Sequence, residues 1–324
     1  MPPKRKALRK VLVVVNPVSG IGDPDQLQEF CRQEFSQAGW QIDFHVTSSD
    51  NDDLDVAVQQ ALNDSCSLVV VSGGDGTVAA VSAAMAHSDV PLGIIPSGTW
   101  NAIARHLEIP LNLSRAVALI LGEHSIANLD LMAVGDTIHA MNLSIGFSAS
   151  MIQNTGRAEK QKYGIFAYFS NALSQVFGLK LKRYHLVIDG QHFKTNASEI
   201  LVLNYGIVGL RALENFLEIH PDDGKMDLVI LRARTLLDAP ALFWRVYIKR
   251  DKITPIYRIF SACSEVSISA KHPVVVQADG EIIGTTPVRV KAIPHAVQVI
   301  IPSPRRPVLA DLEFLNPLVH PPER

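Results

Sequence analysis

Cysteine is scarce in this 324-residue chain, and its three copies, Cys31, Cys66 and Cys263, stand far apart with no C-x-x-C pair. That spacing excludes a disulfide framework and a zinc ribbon, and it suits a reducing compartment. Net charge is nearly absent as well. A formal charge of −2 exerts no global pull on nucleic acid, so no nucleic-acid partner is expected. No apolar run reaches the roughly 18 residues that a bilayer span requires. The 11 histidines show no metal-ligand spacing. Gly20-Ile21-Gly22 is followed by no G-K-[ST], and neither a G-x-S-x-G elbow nor an H-E-x-x-H pair occurs. The Walker-type phosphate loop, the hydrolase elbow and the zincin helix are thereby excluded. Internal repeats and low-complexity tracts are missing too.

What is present reads as an ordinary globular chain, 47% hydrophobic and 19% charged, long enough for two domains with their own cores. Met1 to Lys10 carries Lys4, Arg5, Lys6, Arg9 and Lys10 without the apolar stretch of a signal peptide. It reads as a solvated leader or as an electrostatic foothold on anionic lipid, where each basic residue adds on the order of 1 kcal/mol.

The first third alternates strand and helix. Val11 to Val15 is a continuous apolar run, the mark of a strand buried on both faces. It ends in the turn Asn16-Pro17-Val18-Ser19-Gly20. Helices are expected over Leu27 to Ala38 and Leu54 to Leu62, and strands over Gln41 to Val46, Leu68 to Val71 and Val90 to Ile95. Thr47 closes the second strand, and Pro96-Ser97-Gly98-Thr99 closes the fourth. The alternation predicts a doubly wound, mostly parallel sheet, in which ligands bind outside the carboxyl ends of the strands. All of these polar turns fall at those ends.

The most informative turn is Ser72-Gly73-Gly74-Asp75-Gly76-Thr77, set between the strand ending at Val71 and a helix expected over Val78 to Ala86. Glycines there let backbone N–H groups approach a phosphate at the positive end of the helix dipole. Asp75 inside the turn is unfavourable against a phosphate unless a cation lies between, which points to a metal–nucleotide complex. Gly74 to Ala79 also fits G-x-G-x-x-A, but a lone match is weak. A dinucleotide site wants an acid at the end of the next strand, and Ile94-Ile95-Pro96-Ser97 offers none.

From about Ile126 the pattern changes to short alternating runs separated by turns such as Val134-Gly135-Asp136 and Asp189-Gly190. They include Asn128 to Val134, Thr137 to Ser144, Tyr184 to Ile188, Ile200 to Tyr205, Met226 to Leu231 and Val274 to Gln277. This half reads as an antiparallel, sandwich-like β domain with helical insertions over Tyr163 to Phe177 and Leu236 to Lys249.

Three ordered motifs, Val15 to Gly20, Ser72 to Thr77 and Pro96-Ser97-Gly98-Thr99-Trp100-Asn101-Ala102-Ile103-Ala104-Arg105, resemble the catalytic domain of the diacylglycerol kinase family, which also holds sphingosine kinases and bacterial lipid kinases. Asp223-Gly224-Lys225-Met226-Asp227 resembles its D-G-x-[LM]-D element, and Asp279-Gly280-Glu281 its D-G-E element. The resemblance implies ATP with Mg²⁺ as cofactors. Asn16, Pro17, Val18, Ser19 and Gly20 would wrap the nucleotide, with Thr47 at its edge. Gly73, Gly74, Asp75, Gly76 and Thr77 would cradle phosphate, and Thr99 would donate a hydroxyl beside it. Asn101 divides evenly between a helix cap and a ligand contact.

With Asp75 of the glycine turn as a metal or phosphate-network carboxylate, Asp279 and Glu281 are the acids expected to do chemistry. Phosphoryl transfer to an alcohol needs a base at the hydroxyl and cations on the phosphates. Residues i and i+2 of a strand share a face, so both reach one site. Which of them is the base stays open, and an ordinary β-turn would use the same residue types. By resemblance Asp223 would ligate a structural magnesium, with backbone carbonyls of His220 and Lys225. Ala102 departs from the family, which often has Asp there.

Apolar Ile165, Phe166, Phe169, Leu173, Val176 and Phe177, flanked by Arg157, Lys160, Lys162, Lys180, Lys182 and Arg183, have the composition of a lipid-facing helix or of one packed on the β domain. The expected protein has a nucleotide domain over 1–127, joined by the segment 301–324, and a lipid domain over 128–300. It is a cytoplasmic, peripheral lipid kinase, with diacylglycerol ahead of a sphingoid base as acceptor. A homodimer stays open. A non-catalytic nucleotide sensor and a dinucleotide-dependent oxidoreductase are the competing classes.

Overall fold

Every residue of Val11 to Val15 is buried, and together they form most of strand β1 (Arg9–Val15). In the computed structural model, which describes residues 9–19, 23–48, 53–154, 180–205, 219–233 and 254–303, β1 pairs in parallel with β2 (Trp40–Val46) and β3 (Leu68–Gly73). β3 pairs in parallel with β4 (Ser88–Pro96). Alternation along β1 serves two cores. Val11, Val13 and Val15 pack with Cys31 and Phe35 of helix α1 (Pro24–Gln37) and with Val117 of the helix over Leu113–Leu121. Leu12 and Val14 pack on the opposite side with α2 (Leu54–Asn63), α3 (Asp75–Ala84) and α4 (Ala102–His106). The sheet is therefore covered on both faces, as the apolar runs require.

The basic leader does not extend to residue 10. Arg9 and Lys10 lie in β1, where the Arg9 guanidinium donates to the Ala38 carbonyl at 3.1 Å and sits 4.6 Å from the Trp40 ring centroid. The Lys10 ammonium donates to the Asp64 carbonyl at 3.3 Å. Residues 1–8, Gly20, the expected helices at 163–177 and 236–249 and the segment from 304 onward lie outside the described residues.

The longest strand, β16 (Val288–Ile301), joins the two halves. It pairs in parallel with β4 and antiparallel with β5 (Ser125–Val134) and β13 (Glu265–Ala270), and a register break falls between Ile293 and Val297. Through β13 the same sheet continues to β8 (Lys182–Ile188) and β9 (Gln191–Ala197). A second, six-stranded antiparallel sheet runs β12 (Tyr257–Ala262), β11 (Met226–Leu231), β10 (Glu199–Leu203), β7 (Asn142–Gly146), β14 (Val275–Ala278), β15 (Glu281–Thr285). The expected class, a doubly wound α/β half followed by an antiparallel sandwich-like half, is the observed one. Tyr184, Leu186, Val266 and Ile268 of the first sheet pack against Leu143, Ile145, Ile200 and Val202 of the second.

One expected strand is two. The run Thr137 to Ser144 breaks into β6 (Thr137–His139), which pairs with β5 in the first sheet, and β7 in the second. The chain changes sheets at Ala140 and Met141, where backbone N–H groups are taken by a side chain from far along the sequence.

Candidate active site

Three turns meet at the carboxyl ends of β1, β3 and β4. The Asn16 carboxamide donates to the Thr77 hydroxyl at 2.8 Å and accepts from the Val18 N–H at 3.1 Å, fixing the first turn on the second. The Ser19 hydroxyl donates to the Asn16 carbonyl at 3.1 Å, and the Thr47 N–H donates to the Val15 carbonyl at 2.9 Å. Two glycines make the next contact. A Cβ on Gly98 would lie 2.5 Å from the Gly74 Cα, and one on Gly73 would lie 2.5 Å from the Thr77 Cβ. Gly76 is different, because a Cβ there would meet nothing within 4 Å. Packing does not require glycine at 76, and the space beside that backbone is open. Pro17, Val18 and Thr99 are open to solvent, and Val18 is 78% exposed.

Asp75 and Asn101 have structural partners. The Asp75 carboxylate accepts from the Ile103 N–H at 3.0 Å and so caps α4 from a neighbouring turn. Asn101, at that helix's own cap position with φ +48°, turns its carboxamide back onto the N–H and carbonyl of Gly98, each at 2.8 Å. It braces the Pro96–Thr99 turn instead of capping the helix.

Asp279 is the side chain that holds the sheet switch. Its carboxylate accepts from the N–H groups of Ala140, Met141 and Asn142 at 2.9, 2.9 and 3.0 Å, and His139 Nδ1 lies 3.6 Å from Oδ2. Gln277 reinforces the turn, accepting from the Gly280 N–H at 2.8 Å and donating to Ser144 at 2.8 Å and Asn142 at 3.1 Å. Glu281, at the start of β15, is exposed and has no hydrogen-bond or ion-pair partner among the described residues.

The glycine turn and the D-G-E turn face one another across a cleft of about 500 Å³. Gly76 and the small residues Ala79, Ala80 and Ala83 of α3 form one wall, and His139, Asp279 and Glu281 form the other. Asp55 and Asp136 also line it, so the described lining carries four carboxylates, one histidine and no Lys or Arg. Such a cleft repels a bare polyphosphate. It suits a hard cation bound through one or two carboxylates and phosphate oxygens, as Mg²⁺ is. Among the described residues no three His, Cys, Asp or Glu side chains form a ready-made cage. A second cavity of about 380 Å³ opens on the other side of the turns, between Asn16, Ser19, Ser72 and Ser97 and the apolar Leu27, Phe30 and Leu113.

Asp223 lies apart from the cleft lining. One of its oxygens accepts from the Lys225 N–H at 3.0 Å, and the other is 3.6 Å from the Lys225 ammonium. A cation at that carboxylate would compete with the ammonium. His220 and Lys225 are both exposed.

Residues 10–134 match the model of the diacylglycerol kinase catalytic domain, and residues 142–301 match that of the YegS C-terminal NAD kinase beta sandwich-like domain. The chain belongs to the diacylglycerol kinase catalytic-domain family. It is 25% identical over 317 residues to a diacylglycerol kinase of Mycobacterium tuberculosis, covering 92% of this chain and 97% of that one. A diacylglycerol kinase of Staphylococcus carnosus is 24% identical over 305 residues, covering 91% of this chain and 95% of that one. The crystal structure of a diacylglycerol kinase from Bacillus anthracis shares the fold, with a TM-score of 0.71 at 23% identity over 92% of this chain and 98% of that one.

Within this diacylglycerol kinase family member, three residues stand out that motif reading passes over. Asp130 on β5 is 1% exposed and accepts from the N–H groups of Gly224 at 2.6 Å and His295 at 2.8 Å, tying the Asp223-Gly224 turn to the register break of β16. Glu199 on β10 is 6% exposed and accepts from the Ser148 N–H at 3.1 Å and from the Ser148 hydroxyl. Burial pushes the Glu199 carboxyl above its ordinary range, against the pull of those hydrogen bonds. Both acids could be suspected as carboxylates inside apolar strand runs. His139 gives no such signal, since only the sheet switch brings it to Asp279.

Proposed function

We propose that this protein is an ATP-dependent lipid kinase that phosphorylates a lipid hydroxyl, with diacylglycerol the leading acceptor. The observation that carries the reading is the meeting of Gly76 and the exposed Glu281 carboxylate across one acid-lined cleft. The first-turn N–H groups of α3 have no partner inside the helix, so they are free to hold phosphate oxygens as charge builds on them. Glu281 accepts the proton of the lipid hydroxyl while that oxygen attacks the terminal phosphorus of ATP, and ADP leaves from the opposite side. Asp279 acts as a positioning residue that holds Ala140 to Asn142, and with them the wall of the cleft. Mg²⁺, held through cleft carboxylates such as Asp136 or Asp55, would neutralise the phosphates. Diacylglycerol comes from the names of the relatives in Mycobacterium and Staphylococcus, and from nothing in the cleft itself.

The test is transfer of labelled terminal phosphate from ATP to diacylglycerol and, in parallel, to a sphingoid base in mixed micelles. Labelled phosphatidic acid that disappears on chelating Mg²⁺ supports the reading. Nucleotide binding without labelling of any lipid overturns it and leaves a nucleotide sensor.

A further inference from the structure

The second sheet has two edges. The D-G-E hairpin occupies one, and β12 occupies the other. At the β12 edge, next to the β9 edge of the first sheet, lies a cleft of about 360 Å³ lined by Arg183, His185, Lys194, Arg232 and Arg258, with Thr195 and Asn196 between them. Four of these residues are cations at neutral pH, and no described lining residue is acidic. The Nε atoms of Arg232 and Arg258 are shielded from solvent and have no hydrogen-bond partner among the described residues.

Shielded guanidinium donors without acceptors are unfavourable, and four like charges around one small cleft add repulsion. Both costs vanish if an anion with several acceptor oxygens enters. A planar guanidinium presents paired donors that match phosphate oxygens, the Lys194 ammonium adds a point charge, and the Thr195 hydroxyl and Asn196 carboxamide supply neutral donors. We propose that this cleft is a second anion site, at the edge opposite the catalytic cleft, that binds a phosphate monoester or inorganic phosphate. The assignment stands on the cationic lining and on the shielded Nε atoms of Arg232 and Arg258, which lack partners among the described residues, and is independent of the kinase reading.

Titration calorimetry of the full chain with inorganic phosphate and with glycerol 3-phosphate, at ionic strength fixed with chloride, tests it. A flotation assay with phosphatidylcholine vesicles, with and without phosphatidic acid, forms the membrane arm. Saturable binding is expected, weakened about tenfold or more in Arg258→Gln and less in Lys194→Gln, consistent with charge-assisted contacts. The unliganded Arg258→Gln protein should melt no lower than the parent, because the change removes a shielded Nε that has no partner among the described residues. Lys194 is exposed, so Lys194→Gln remains informative if Arg258→Gln unfolds. Binding of soluble phosphate identifies a free anion. Binding only to phosphatidic acid vesicles, lost in the same variants, identifies a headgroup. The proposal fails if the parent binds none of these probes, or if Lys194→Gln and Arg258→Gln bind as the parent does, which would move the phosphate to the glycine turns.

Discussion

Asp279 repeats the hydrogen-bonding geometry of Asp189. Each precedes a glycine and takes positive φ, +48° and +46°. Each gathers three successive backbone N–H groups of a distant loop, Ala140 to Asn142 for Asp279 and Cys263 to Glu265 for Asp189. Asp189 lies in an exposed turn and lines no cleft described above, so the arrangement is a brace that this fold uses twice. In Asp279 the brace also forms part of the wall of the acid-lined cleft opposite Gly76. Glu281, two residues on, has no hydrogen-bond or ion-pair partner among the described residues.

That difference predicts opposite phenotypes for neighbouring acids. Asp279→Ala strands three N–H groups, and chemical denaturation should show a loss of about 1–3 kcal/mol. Glu281→Gln should unfold at the parent's denaturant midpoint yet lose about 10²–10⁴-fold in kcat of phosphate transfer. Loss of stability in Glu281→Gln with retained transfer would reverse the assignment.

Gly76 and Gly98 should separate activity from packing. Gly98→Ala forces a methyl group to 2.5 Å from the Gly74 backbone and should destabilise by about 1–3 kcal/mol. Gly76→Ala meets nothing and sits in the first turn of α3, so it should leave stability unchanged or raise it by up to about 1 kcal/mol. Its KM for ATP should nevertheless rise if phosphate approaches that backbone. An unchanged KM would remove Gly76 from the site.

Asp75 caps α4, which tempers any purely catalytic role. Asp75→Ala should lower stability by about 1 kcal/mol through the lost acceptor for Ile103, measured by urea unfolding. Asp75→Asn keeps an acceptor and should recover most of that loss. If the Asn variant is stable but inactive, the charge of Asp75 matters to the phosphate network beyond the cap.

Glu199 predicts a pH dependence of stability. Its folded-state pKa is raised, chiefly by burial, so the fold favours the neutral carboxyl. Stability is then full below the unfolded value near pH 4 and declines as pH rises through the raised folded value. Glu199→Gln, which keeps the shape and an acceptor for Ser148, should flatten the denaturation midpoint over that window. Asp130 is pushed the same way by burial, so the difference between parent and Glu199→Gln isolates the Glu199 share. Parallel midpoint curves for the two proteins would contradict the assignment.

The parallel half of the fold was legible because its strands are buried on both faces and its turns carry glycine, Asn and Pro. Val11 to Val15 and Leu68 to Val71 admit no other role in a chain of this composition. The second half was legible in class but not in pairing. Nothing in Thr137 to Ser144 marks the change of sheet at Ala140, because the cause is a carboxylate remote in sequence. The glycine-turn and D-G-E residues come together around the turns and the cleft, while Asp223 lies apart. Motif reading could not divide the bracing carboxylate of Asp279 from the exposed one of Glu281. That division depends on which backbone N–H groups are in reach. Asp130 and Glu199 escaped for the same reason, since their partners come from loops that only tertiary packing delivers.

Strand β16 also imposes an order on biogenesis. β4 and β5 emerge from the ribosome long before the segment Val288–Ile301 that pairs with both. Until that segment arrives, the parallel half presents an unpaired, apolar sheet edge, which is a site for misassociation. The parallel half therefore has no finished form of its own during translation. Its completion waits on nearly the whole chain, a high-contact-order step expected to be slow in refolding as well.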